Sequence, residues 1–251
     1  MKQLPVIILV LIILGGVWWF FGSGDVRAPE KETIRIPTVK SETFELESSL
    51  FEIKINHPEL YGINQDIADS INKNIQGNLE IWSDSFVKDL PDEALFDERK
   101  HSLVGDFETK RLDEKFVSFH FTMSSMMSGA AHPFNFNVTL TYNLETGVSI
   151  GLDDLFVKDS DYLNVISKLA LQKTKDAIKK ITGQEIIDIE QKTIVTGTEA
   201  KIENYNAFAL TDTGIEFYFD SYQVATYAVG PVTIEFTYEE LKDILKPEFV
   251  K

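Results

Sequence analysis

Ile67, Ile71, Ile75, Leu79, Trp82 and Phe86 recur at spacings of four or three, a period that places all six on one side of an α-helix. A helix with one apolar face must lay it against a sheet or another helix, which restricts the folds open to the chain. Asn64 supplies a cap before this run and Pro91 lies beyond its end. On either side the period changes to two. Phe51, Ile53 and Ile55 alternate with Glu52 and Lys54, which predicts a strand ended by Asn56-His57-Pro58. Leu103 to Arg111, Lys115 to Met126 and Phe134 to Asn143 predict three further strands in an antiparallel meander.

Ser124 to Pro133 contains glycine, proline and small residues and reads as a loop between two of these strands. A turn at Leu144 to Gly147 follows, and then Asp153-Asp154, where a carboxylate caps a short helical turn. Leu163, Ile166, Ala170, Ala177 and Ile181 form one side of a helix opening at Asp159 or Ser160 and stopped by Gly183. Gln184 to Asn204 is polar and reads as loop. Thr211 to Gly214 predicts a hairpin turn between Ala207–Leu210 and Ile215–Phe219, with Gly214 expected to take a positive φ. Val232, Ile234 and Phe236 alternate as a final strand, and Thr237 with Glu240 makes a capping box for a helix carrying Leu241, Ile244 and Leu245. The order predicts an α+β fold: a mostly antiparallel sheet packed by two or three helices, preceded by one N-terminal transmembrane helix.

That last element is Leu4 to Phe21, 18 residues without a charge. As a helix it would be roughly 27 Å long, enough to cross a hydrocarbon core. Trp18 to Phe21 stand where an interfacial belt would, and Lys2 favours a cytoplasmic N-terminus, so the expectation is a single-pass membrane protein with its C-terminal domain extracytoplasmic. Residues 22–42 mix Gly, Ser, Pro and alternating charges and read as a flexible tether. Beyond residue 24 the chain carries 23 basic and 40 acidic residues, a formal charge of −17. That balance disfavours nucleic acid and attracts cationic partners. The chain has no cysteine, so disulfides, thiolate metal sites and cysteine nucleophiles are excluded.

Catalytic chemistry finds little support. His57, His101, His120 and His132 are separated by 44, 19 and 12 positions, none of which is the helical spacing of a metal clamp. Adjacent Asp153 and Asp154 suit helix capping better than an acid and base across a substrate. Ser124, Ser125 and Ser128 precede His132 without a nucleophile elbow. No phosphate loop or dinucleotide fingerprint occurs, and no cofactor and no metal are expected.

Three segments do carry a resemblance: Thr141-Tyr142-Asn143 with Thr146-Gly147; Leu152-Asp153-Asp154-Leu155-Phe156; and Phe217-x-Phe219 leading into Tyr222 to Pro231. Together they resemble the extracytoplasmic domains of the lysozyme-sensing anti-sigma factor family and of PdaC-type peptidoglycan deacetylases. Asn56-His57-Pro58 followed by Ile63 to Ile75 is similar to the companion module, so the resemblance implies a PdaC-type N-terminal module at residues 43–135 and a C-terminal module like the anti-sigma factor ectodomain at residues 136–251. Thr226 stands where the family often has proline. The resemblance implies a binding domain for a cationic lysozyme-like protein or peptidoglycan rather than an enzyme. Only Met1 to Gln3 precede the apolar run, so a sigma-factor-binding role is not expected to carry over. The expected binding surface joins Tyr222, Tyr227, Gly230 and Pro231 to Met126, Met127 and His132. A glycan hydrolase or deacetylase, and a purely structural envelope domain, are the alternatives.

Overall fold

The computed structural model describes residues 37–91 and 99–251. The expected membrane anchor at 4–21 lies outside them, and no helix among the described residues is long and apolar enough to cross a membrane.

Five strands form the larger sheet: β1 (Thr38–Glu47), β2 (Phe51–Tyr61), β3 (His101–Leu112), β4 (Phe116–Met126) and β5 (Phe134–Asn143), in spatial order β1-β2-β3-β4-β5. All pairs are antiparallel except β2 with β3. That pair is parallel because helix α1 (Gln65–Lys88) returns the chain to the end at which β2 began. Asn64 caps α1 as its sequence predicts, accepting from the N–H groups of Asp66 and Ile67 at 3.0 and 3.3 Å. Ile71, Ile75 and Leu79 are fully buried against Ile53, Ile55, Val117, Phe119, Phe121 and Met123 of the sheet.

The second sheet holds β6 (Phe208–Leu210), β7 (Gly214–Phe219) and β8 (Val232–Thr237), all antiparallel. Between β5 and β6 come α2 (Leu152–Leu155), α3 (Tyr162–Thr182) and α4 (Asp188–Gly197), and α5 (Tyr238–Leu241) follows β8. Ile166, Ala170 and Ile178 of α3 pack with Ile215, Phe217, Phe219, Ile234 and Phe236 in a second core. Gly183 ends α3 at φ 68°, a left-handed cap open to glycine without steric penalty.

Side chains with polar ends join the two sheets. β6 is an edge strand, and its N–H groups at Phe208 and Leu210 donate to Thr139 Oγ1 and Ser118 Oγ on the face of the larger sheet, at 3.0 and 3.1 Å. Hydroxyls thus satisfy an edge that would otherwise need another strand. Arg111 of β3, 4% exposed, donates to Asp113 at 2.6 Å, to the Tyr238 hydroxyl at 2.9 Å and to the Phe249 carbonyl at 2.7 Å. The described residues belong to one compact unit, and position 135/136, the expected module boundary, falls inside β5.

Several local expectations are corrected. Asn56-His57-Pro58 does not end β2, which runs on to Tyr61. Pairing with β3 stops at Ile55, so Pro58 pairs on one side only and its missing donor is tolerated. Residues 38–42, expected in the tether, belong to β1. Within the stretch expected as loop, residues 188–197 are helical, anchored by the fully buried Ile194. Gly197 closes that helix where a Cβ would stand 2.2 Å from the Gln223 carbonyl oxygen. The last helix spans only Tyr238–Leu241, although its capping box forms as predicted. Gly214 is not among the residues of positive φ; its reason is proximity, since a Cβ there would lie 1.9 Å from the Phe236 carbonyl oxygen.

Candidate functional site

The segment between β7 and β8 is a pair of turns rather than a loose loop. Val224 and Ala225 are buried in the second core, which pins the middle and projects Tyr222 on one side and Thr226-Tyr227 on the other. Gln223 Nε2 donates to the carbonyls of Gly197 and Asn204 at 3.3 and 3.0 Å. The N–H groups of Val229 and Gly230 close the second turn onto Thr226 and Tyr227, both at 3.0 Å, and Gly230 takes φ 81°. Tyr222 sits at φ 71°, a left-handed conformation that a β-carbon penalises, with 52% of its surface exposed.

Three aromatic rings meet above these turns. His132, from the loop between β4 and β5, stacks on Tyr227 with centroids 3.8 Å apart and planes 23° apart. Tyr227 in turn lies 5.7 Å and 29° from Tyr222. His132 Nδ1 is 3.2 Å from the Pro133 carbonyl, which can only accept, so that nitrogen carries the proton. Nε2 is then free to accept from the Tyr222 hydroxyl, at a long 3.5 Å. Residues ninety positions apart in the chain therefore form one outward-facing ring cluster.

Of the seven residues expected at the site, the structure brings His132, Tyr222 and Tyr227 together; Gly230 closes the turn that holds Tyr227, and Pro231 follows it. Met126 and Met127 turn elsewhere. Met127 lines an apolar cavity of about 230 Å3 with Trp82, Phe86, Phe134 and Phe136, and Met126 and Met127 together line a second, more polar one. Met126 ends β4 and Met127 follows it.

The support beneath the rings carries no local sequence signal. Asp220 Oδ1 accepts from both the backbone and side-chain N–H of Asn137 on β5, at 2.7 and 2.9 Å. Asn137 Oδ1 accepts from His120 Nε2 at 2.8 Å, and the His120 ring lies flat on Tyr218, centroids 3.7 Å apart. Tyr218 donates to Glu216, which pairs with Lys110 at 2.8 Å. Burial raises the Asp220 carboxyl above its ordinary range against the pull of Asn137. Burial likewise pushes the His120 imidazole below its usual value, partly offset by Asn137.

The His120 shift has a testable sign. The unfolded chain takes up a proton near about pH 6.5 that the folded protein resists, so stability present above that pH is lost as pH falls. Asp220 acts in the opposite sense at lower pH, because folding favours its protonated form. The melting temperature is expected to drop between about pH 7 and about pH 5.5, and His120→Gln to flatten that drop. Equal slopes for the two proteins in a thermal-unfolding series would remove His120 as the cause.

The remaining titratable groups with proposed chemistry are occupied. Asp154 accepts from the Gly151 N–H at 2.8 Å and Tyr162 donates to Asp153, so both carboxylates serve α2 and its neighbour. His57 contacts Gln76, and His101 accepts from the Ser128 N–H at 3.0 Å. Among the described residues no group of three His, Asp or Glu is placed to hold a metal ion.

The ring-bearing turns fall within the segment that known families recognise. Residues 153–239 match the family described as a protein of unknown function, DUF3298. The chain is also 25% identical to the peptidoglycan-N-acetylmuramic acid deacetylase PdaC of Bacillus subtilis (strain 168), over 99% of this chain and 51% of that protein. It thus spans about half the length of that curated relative. Two crystal structures share its fold. One is a DUF3298 family protein from Pseudomonas aeruginosa PAO1, with TM-score 0.59 and 13% identity over 86% of this chain and 96% of that one. The other, from Bacteroides fragilis NCTC 9343, has TM-score 0.58 and 15% identity over 86% and 97%. The two crystal structures share the α+β fold of this chain.

Proposed function

We propose that this chain is an extracytoplasmic binding domain, held at the membrane by residues 4–21, that engages a cell-wall component or a lysozyme-like protein through Tyr222, Tyr227 and His132. The observation that carries the reading is the exposed ring cluster on a turn whose backbone is held in a strained conformation. Strain kept at an exposed residue, and fastened from beneath by Asp220 and Gln223, is expected where the projecting side chain is used. Flat aromatic faces present large contact area with little loss of side-chain freedom. The relative's name supports the cell-wall component, and the −17 charge supports a cationic protein partner. A binding role without catalysis is favoured by carboxylates and histidines already engaged within the fold.

Calorimetry of the full chain in mild detergent, against lysozyme and against soluble peptidoglycan fragments, tests this. Saturable binding to one of them at low salt is the expected result, with the lysozyme arm weakening as salt rises. Silence toward both overturns the reading.

A further inference from the structure

A second surface lies on the outer side of α1. Between this helix and the Asn143–Ser149 turn runs an open groove of about 570 Å3. Its floor is Gly77, in the middle of a 24-residue helix. Glycine destabilises a helix interior relative to alanine, and here nothing inside the protein requires it, because an added Cβ would meet no atom within 4 Å. The space above Gly77 is therefore kept open toward the outside.

The walls are chemically definite. Asn74 Oδ1 accepts from the Tyr142 hydroxyl at 2.8 Å and from Asn78 Nδ2 at 3.2 Å. Those two bonds fix both amides, leaving the Asn74 N–H2 as a donor and the Asn78 carbonyl as an acceptor at the groove. A donor beside an acceptor is the complement of a secondary amide, whose carbonyl accepts and whose N–H donates. Ile81 and Val148 flank them, 65% and 61% exposed. Val148 is no accident of a loose loop: Asn143 Oδ1 accepts from the N–H groups of Glu145 and Thr146, and Asn143 N–H donates to the Val148 carbonyl at 3.0 Å. Lys73 adds an exposed ammonium to the groove lining.

We infer that this groove binds an N-acylated glycan bearing carboxylates, with the acetamido group between Asn74 and Asn78, a carboxylate on Lys73 and sugar C–H faces on Ile81 and Val148. The inference rests on the cell-wall reading and narrows it to a second surface, remote in sequence from the ring cluster.

The probe is a soluble oligomer of alternating N-acetylglucosamine and N-acetylmuramic acid, titrated calorimetrically into the full chain, with an N-acetylglucosamine oligomer as its uncharged counterpart. The charged oligomer is expected to bind more tightly, and Lys73→Ala to weaken it about tenfold. Gly77→Trp is expected to abolish binding in a protein that still melts cooperatively. Gly77→Ala is expected to raise the melting temperature yet weaken binding, which a purely structural glycine would not do. Binding that survives Gly77→Trp and Lys73→Ala but is lost in Tyr222→Gly overturns the groove and leaves the cell-wall reading standing. No binding by the unaltered chain overturns the groove and the glycan form of that reading together. An acidic peptide that displaces the oligomer from Gly77 at lower concentration also overturns the assignment.

Discussion

Gly214→Ala is expected to cost the folded protein a large part of its stability. The added carbon would stand 1.9 Å from the Phe236 carbonyl oxygen, 2.8 Å from its carbon and 2.9 Å from Thr237 Cα. None of these is the end of a flexible side chain; all are backbone of β8, which pairs with β7 at Gly214 and Thr237. Relief requires the strands to part at the hairpin, where the Tyr238 N–H also bonds the Thr213 carbonyl at 3.1 Å. Overpacking of about 1 to 3 kcal/mol, added to one or two lost ladder bonds at about 1 kcal/mol each, gives roughly 2 to 5 kcal/mol. That is a large share of the whole stability of a typical domain. A urea denaturation curve followed by circular dichroism checks it, and an unchanged midpoint would contradict the close approach.

Tyr222→Gly is expected to separate stability from binding. Glycine relieves about 1 kcal/mol or more of left-handed strain, while the unfolded chain gains freedom and the ring contacts with Tyr227 and His132 are lost. These effects oppose one another, so stability is expected to move by less than about 1 kcal/mol. Affinity for the partner identified by calorimetry is expected to fall about tenfold to a hundredfold, as for an aromatic anchor at the centre of an interface. Tyr222→Ala removes the ring without granting the backbone freedom and should lose both affinity and stability. Unchanged affinity in both variants would move the contact surface away from the ring cluster.

These variants also show which features the chain displays locally. The exposure of Tyr222 is legible in the sequence, because an aromatic between a strand end and a Gly-Pro pair has no evident packing role. From the sequence His132 is expected beside Tyr222 and Tyr227, but the stacking of His132 on Tyr227 and its long contact with the Tyr222 hydroxyl are tertiary detail. Asp220, Asn137 and His120 were missed because each is an ordinary polar residue at its own position. Their roles arise where β5 and the end of β7 come together. Met126 and Met127 are near His132 in sequence, but they line cavities that His132, Tyr222 and Tyr227 do not. Gly214 was recognised as necessary and given the wrong cause, since a turn glycine more often serves φ than proximity.

The sequence by itself determined α1 with its Asn64 cap, the meander β3-β4-β5, the end of α3 at Gly183 and the Thr237–Glu240 capping box. Each depends on side chains two to four positions apart, a range over which helix and strand periods hold whatever the rest of the chain does. Tertiary contacts decide the parallel β2-β3 pair, the continuation of β2 through Pro58, the helix at Asp188–Gly197 and the way His132, Tyr227 and Tyr222 stack. Those depend on which backbone edge is left open and which surface a weak segment finds to bury Ile194 against. Such contacts join residues tens of positions apart, and they exist only once two sheets have closed on a polar seam.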